Sequence, residues 1–300
     1  MASDDLVVRL RRGDVVVGDG AWGTMIMARG LRAGQPPEAF NLTRAHELEA
    51  IAREYVEAGA QLITTNTFGA SPLRLRLYGL EGETEAINQA AVRAVRRAVG
   101  DRAAVLASIG PSGRLMKPYG DTDPREVADG FTRQARALAA EGVDVFCVET
   151  MTDLGEAELA IRAAREAAAN VPIVATMTFD RTRRGFFTVM GTSIAAAARG
   201  LVQAGADMVG SNCGNGLDAM IEIAQLFRAS TSTPLAIQAN AGLPETRGGT
   251  LVYPESPEFF AERVPMLVAE GVRLIGGCCG TTPDHIRAIR RAVDERGAGS

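Results

Sequence analysis

Eight short runs rich in β-branched residues recur along the chain, each followed by a longer stretch rich in Ala, Arg and Glu. The runs fall at residues 15–18, 61–67, 103–109, 143–149, 172–179, 207–213, 235–240 and 273–278. They are too continuously apolar for strands with one wet face, and buried parallel strands have this character. Helical segments lie between them, among them residues 44–57, 84–99, 126–141, 154–169 and 219–229. Several of these stretches close on a glycine just before the next run, at Gly59, Gly142, Gly205 and Gly271. Glycine there supplies the left-handed residue that stops a helix. Eight strand–helix alternations predict an α/β fold of the (β/α)8 or TIM barrel type, in preference to an open doubly wound sheet.

The 300 residues suit one such barrel, so a single domain is expected over 1–300. Net charge is −4, which provides no overall basic field for nucleic acid or anionic lipid. No apolar run is long enough for a membrane helix. The opening Met1-Ala2-Ser3-Asp4-Asp5 lacks the basic and apolar segments of a signal peptide, so a cytoplasmic location is expected. In that compartment the four cysteines are reduced, which favours metal binding, catalysis or plain burial over disulfides. Longer loops follow strands one, three and seven, at residues 20–41, 110–124 and 241–257, on the rim where such barrels build their sites.

Cys213 ends the sixth run in Gly210-Ser211-Asn212-Cys213-Gly214, and Cys278 and Cys279 end the eighth in Gly276-Gly277-Cys278-Cys279-Gly280. All three therefore belong to one rim of the barrel. Neighbouring side chains on a regular strand point to opposite faces, so an adjacent pair can serve one ion only where the backbone leaves strand geometry. The flanking glycines permit that departure. Three thiolates suit zinc and leave its fourth tetrahedral position open, as in a catalytic site. Cys147 lies inside the fourth run and reads as a small buried apolar side chain. His46 and His285 read as structural or surface residues, with Thr282-Pro283-Asp284 opening the helix that carries His285.

Asp19 follows the first run in Gly18-Asp19-Gly20-Ala21-Trp22-Gly23-Thr24, and Glu149 ends the fourth in Glu149-Thr150-Met151-Thr152-Asp153. Carboxylates at a barrel mouth suit ligand binding or catalysis, with a helix cap or buried ion pair as the alternative. The cap is the favoured role for Asp153. Gly20 and Gly23 allow close backbone approach and exposed N–H groups suited to a carboxylate. Asn66, Asn212 and Asn240 also end runs, where an amide orients a ligand or ties loops together. No glycine pattern makes a dinucleotide fingerprint.

These motifs resemble the homocysteine S-methyltransferase family, most closely the homocysteine-binding barrel of cobalamin-dependent methionine synthase and more distantly betaine–homocysteine methyltransferase. The matching stretches are Asp19-Gly20-Ala21-Trp22-Gly23-Thr24, Thr65-Asn66-Thr67-Phe68-Gly69-Ala70, Ile109-Gly110-Pro111-Ser112-Gly113, Glu149-Thr150, Met177-Thr178-Phe179, Asn212-Cys213, Asn240-Ala241-Gly242 and residues 276–283. The resemblance implies zinc held by Cys213, Cys278 and Cys279, with the sulfur of homocysteine or a similar thiol at the open position as a zinc thiolate. It implies that Asp19 and Glu149 hold the substrate ammonium and that backbone near Gly20 and Ala21 meets its carboxylate. Trp22 and the Gly214-Asn215-Gly216 turn depart from the family pattern. Because the likeness is closer to the methionine synthase barrel than to the betaine enzyme, the expected donor is a methylated corrinoid (methylcobalamin type) on a separate protein. Between turnovers, Asn240 or a water is the expected fourth ligand. Betaine, S-methylmethionine or another sulfonium donor, another acceptor, or a non-catalytic zinc- or thiol-binding role are the alternatives. A cationic donor such as betaine calls for an aromatic cage, and only Trp22, Tyr119 and Tyr253 of the one Trp and four Tyr lie in loops that reach the rim.

Overall fold

The computed structural model describes residue 9 and residues 12–32, 34–248 and 250–297. The opening Met1-Ala2-Ser3-Asp4-Asp5 lies outside them. The barrel strands are β1 (Val16–Val17), β2 (Leu62–Thr64), β3 (Ala104–Ile109), β4 (Val145–Met151), β5 (Ile173–Met177), β6 (Met208–Asn212), β7 (Leu235–Ala239) and β8 (Val272–Gly277). All pair in parallel in the order β1-β8-β7-β6-β5-β4-β3-β2. A parallel bridge between Gly18 and Leu62 joins the two ends of that sheet. The expected (β/α)8 barrel is therefore the observed fold.

Each strand is followed by a helix: α1 (Ala45–Glu57), α2 (Thr84–Val99), α3 (Pro124–Ala139), α4 (Leu154–Ala167), α5 (Ile194–Ala204), α6 (Leu217–Arg228), α7 (Pro257–Ala269) and α8 (Pro283–Gly297). Ser193, Ser256, Asp123 and Asp153 cap four of them by accepting backbone N–H bonds in the first turn. Asp153 thus takes the capping role expected of it. The sequence-based ranges lie within a few residues of these elements. Two antiparallel hairpins, Asp180–Thr182 with Gly185–Phe187 and Glu245–Arg247 with Thr250–Val252, were not foreseen, because such short runs carry little apolar alternation.

The barrel interior is layered. Val16, Leu62, Leu106, Val145, Cys147 and Met208 belong to an apolar cluster separate from the larger core between sheet and helices. Cys147 is fully buried there, as a packing residue. One step toward the carboxyl ends, the period of two puts Thr64, Ser108, Thr176, Asn212 and Gln238 on the same inner face. An apolar floor thus supports a polar layer beneath the mouth. Gly210 keeps β6 against β7, since a Cβ there would lie 1.8 Å from the Ala236 carbonyl oxygen.

Candidate metal centre and active site

The three cysteines sit just beyond their strands. β6 stops at Asn212, and Cys213 turns into the left-handed region with φ 61°. Its N–H still reaches the Gln238 carbonyl at 3.1 Å, which keeps the residue on the rim. β8 stops at Gly277; Cys278 donates its N–H to Ala239, and a turn closes from Thr281 N–H to the Cys278 carbonyl. Gly280 takes φ 80° in that turn. The adjacent pair has therefore left strand geometry, and both thiols face Cys213. All three sulfurs lie within 4.8 Å of one another, with Cys213 and Cys279 Sγ 3.9 Å apart. Zinc–sulfur bonds of about 2.3 Å in a tetrahedron put sulfurs about 3.8 Å apart, so the donor set fits zinc after small side-chain adjustments. Contact with Cys213 and Cys278 holds the Cys279 thiol well below the usual range, while contact with Cys213 and Cys279, together with burial, pushes Cys278 up.

The two carboxylates face the same mouth. Asp19 is buried and accepts the indole N–H of Trp22 on Oδ2 at 2.7 Å, the Thr64 N–H on Oδ2 at 2.7 Å and the Thr64 hydroxyl on Oδ1 at 2.7 Å. Burial nevertheless pushes its pKa up to about 6. Glu149 accepts the Ser108 hydroxyl at 2.5 Å and the Asn212 amide at 3.1 Å. Burial, assisted by the Asp19 charge, pushes its pKa up to about 7. Among the described residues, neither carboxylate forms an ion pair.

Asn212 organises this side of the mouth. Its Nδ2 donates to Glu149 and to the Thr150 hydroxyl, and its Oδ1 accepts the Thr150 N–H and the Thr176 hydroxyl. All four hydrogen-bonding positions of the amide are used. Thr150, at φ 58°, and Cys213 are the non-glycine residues with positive φ among those described, and both adjoin this amide. Asn66 likewise ties loops, donating to the Pro37 carbonyl and to Asn41. Asn240 differs. It follows β7, between the two cysteine strands, and its buried Oδ1 has no hydrogen-bond partner.

Gly20 and Ala21 meet the far end of the chain. A Cβ on Gly20 would lie 2.7 Å from Thr281 Oγ1. The Ala21 N–H donates to that oxygen at 3.1 Å, and Tyr55 donates its hydroxyl to the Ala21 carbonyl. The Ala21 N–H is therefore engaged within the fold. Tyr253 lies with its ring across Gly280, next to Cys279 in the chain. The signal for this contact was only its position in the loop after β7. His285 accepts from Thr282 on Nδ1 and donates from Nε2 to the Glu255 carbonyl, and burial lowers its pKa, so it is a neutral structural residue. His46 is exposed beside Glu47.

Fold and side chains together place a cluster of three thiols that could hold a metal ion at the mouth of a (β/α)8 barrel. Residues 16–293 match the family described as homocysteine S-methyltransferase, and the chain belongs to that family. It is 35% identical over 298 residues to the methionine synthase of Mycobacterium leprae and 34% identical to that of Mycobacterium tuberculosis, covering 93% of this chain in each case. The chain spans about a quarter of those relatives, 24% of each. Among solved structures, the metallated form of the Escherichia coli homocysteine methyltransferase MmuM superposes with a TM-score of 0.76 at 22% identity, covering 93% of this chain and 96% of that one, and so shares the fold.

Proposed function

We propose that this chain methylates the thiol of homocysteine, held as a zinc thiolate by Cys213, Cys278 and Cys279, with a methylated corrinoid on a partner protein as donor and methionine as product. The observation that carries this proposal is the convergence of three thiols, the buried Asp19 carboxylate and the half-buried Glu149 carboxylate on one barrel mouth, with no counter-ion on either carboxylate among the described residues. A free thiol has a pKa near 8.5 and is only a few per cent ionised at neutral pH. Zinc at these cysteines supplies a Lewis acid that ionises an added thiol, while the three thiolate ligands keep that sulfur electron-rich.

The remaining roles belong to the chain. Asp19 and Glu149 receive the ammonium of an aminothiol, which offsets the charge that burial disfavours. Asn212 fixes the direction of Glu149. Asn240 Oδ1, polar, buried and unpartnered, suits the resting fourth position. With the Ala21 N–H engaged by Thr281, binding of the substrate carboxylate near Gly20 and Ala21 falls to other N–H groups of that segment or requires Thr281 to yield. No general base is required of the chain during attack: the sulfur–carbon bond forms as the bond between methyl and donor breaks.

The rim supports a macromolecular donor. Phe68, Leu115, Tyr119, Val189, Leu243 and Leu251 are exposed apolar side chains in loops at the carboxyl ends of the strands. The aromatics do not gather into a cage: Trp22 is buried against Asp19, Tyr119 is exposed, and Tyr253 lies over Gly280. No helix among the described residues is long and apolar enough to cross a membrane, and a cytoplasmic setting would keep the thiols reduced. The test is a donor panel with zinc-loaded protein and homocysteine: methylcobalamin, betaine, S-methylmethionine and dimethylsulfoniopropionate. Methionine from methylcobalamin, even at a slow rate without a carrier, is expected. Rapid turnover of a small donor with none from methylcobalamin would reject the corrinoid.

A further inference from the structure

We infer that Trp22 is a positioning residue for amino-group recognition: its indole N–H fills one acceptor site of Asp19 and so leaves a single direction from which a substrate ammonium can approach. This rests on the proposed role of Asp19 and specifies how that role is achieved. An ionised carboxylate offers about four acceptor sites, two on each oxygen. On Asp19, the Trp22 indole and the Thr64 N–H occupy Oδ2, and the Thr64 hydroxyl occupies one side of Oδ1. One site remains, on Oδ1. The donors come from two different segments, the start of the short helix Gly23–Ala28 and β2, so the carboxylate is held from both sides.

Other features agree with this assignment. Trp22 is buried, as is Asp19, so water is a poor substitute for the indole donor. Among the hydrogen bonds that oppose the effect of burial on Asp19, the one from Trp22 is the largest. A phenyl ring at this position would retain much of the apolar contact but free one side of Oδ2, allowing the carboxylate to turn and meet the ammonium in more than one way. The expected penalty is therefore confined to ligands that carry the amino group.

Homocysteine and 4-mercaptobutanoate, which has the same thiol and carboxylate but no amine, separate the two effects. Calorimetric titration of both into zinc-loaded protein should show Trp22→Phe binding homocysteine about tenfold more weakly, with 4-mercaptobutanoate within twofold of the unmodified protein and zinc content unchanged. Equal weakening of both ligands, or none for homocysteine, would overturn the inference. If the unmodified protein itself bound the two thiols equally, the ammonium role of Asp19 would fail and this inference with it; discrimination retained in full by Trp22→Phe would remove this inference alone. A second measurement needs no variant. Trp22 is the only tryptophan in the chain, so its emission reports directly on Asp19. Homocysteine should shift that emission more than 4-mercaptobutanoate does, because only the first places a cation on the carboxylate that the indole contacts. Equal shifts would count against the assignment.

Discussion

Replacing Glu149 by Gln should stabilise the metal-free protein in alkaline buffer while removing a group proposed to bind substrate. Burial raises the Glu149 pKa from 4.5 to about 7. At about 1.36 kcal/mol per tenfold change in proton affinity, ionised Glu149 costs at most about 3 kcal/mol of folding free energy. The pH window follows from the direction of that rise. Below pH 4.5 the carboxyl is protonated in both folded and unfolded chains and no cost arises. Between 4.5 and about 7 the folded protein retains a proton that the unfolded chain releases, so stability falls as pH rises. Above about 7 the full cost is present. Glutamine imitates the protonated side chain at every pH. Its amide can donate to the Ser108 hydroxyl and accept from Asn212, so both existing contacts have a counterpart. The gain should be about 3 kcal/mol at pH 8.5, roughly 5 °C in Tm for a chain of this size, and about 1 kcal/mol at pH 5.5. Thermal and urea denaturation of reduced, metal-free protein at both pH values measures it. A gain independent of pH, or a loss at pH 8.5, would refute the reasoning.

Cys213→Ser, Cys278→Ser and Cys279→Ser should each lose zinc or activity, while Cys147→Ser, altered in the apolar floor, should retain zinc; metal analysis decides, and full zinc and activity in any of the first three would remove the assignment. Cobalt-substituted protein should change its absorption bands when homocysteine is added, with proton release near neutral pH, and an unchanged spectrum at saturating thiol would exclude direct coordination. Gly210→Ala should lose more than about 4 kcal/mol or fail to fold, because its Cβ would collide with the Ala236 carbonyl, whereas Gly23→Ala, with open space around it, should remain within about 1 kcal/mol; comparable denaturation midpoints would contradict that contrast.

The period of the fold was legible because buried parallel strands and their helices leave repeated marks in composition. The thiol cluster was legible for a related reason: once strands six and eight were located, their ends shared a rim. Cys213 shows where such reasoning stops. Its left-handed backbone follows directly on Asn212, whose amide binds the likewise left-handed Thr150 and bridges β4, β5 and β6. That bridge depends on inter-strand register, which strand periodicity leaves open. Trp22 could be counted as a rim aromatic, but its donation to Asp19 depends on how the chain bends after β1. Likewise, Ala21 appeared free to meet a substrate carboxylate because Thr281, which takes its N–H, lies 260 residues away.

The meeting of first and last strands has a consequence for how the protein acquires its site. Asp19 and Ala21 lie on one side of that seam, and Cys278, Cys279 and Thr281 on the other; the Gly277 N–H bonds to the Asp19 carbonyl across it. No amino-terminal fragment holds more than one of the three thiols until β8 arrives, and the contact that seals the ring is among the most distant in sequence. Closure should therefore come late in folding, after the more local strand–helix units have formed. A metal that requires all three thiols binds once β6, β7 and β8 lie side by side, before or after the seam closes, and draws the equilibrium toward that arrangement in proportion to its free concentration. Metal retention then serves as a mechanical gauge of that sector: a mutation that loosens β6, β7 or β8 should be detected as leakage of the ion, whereas one confined to the β1 side of the seam should disturb Asp19 and Ala21 and leave the ion in place.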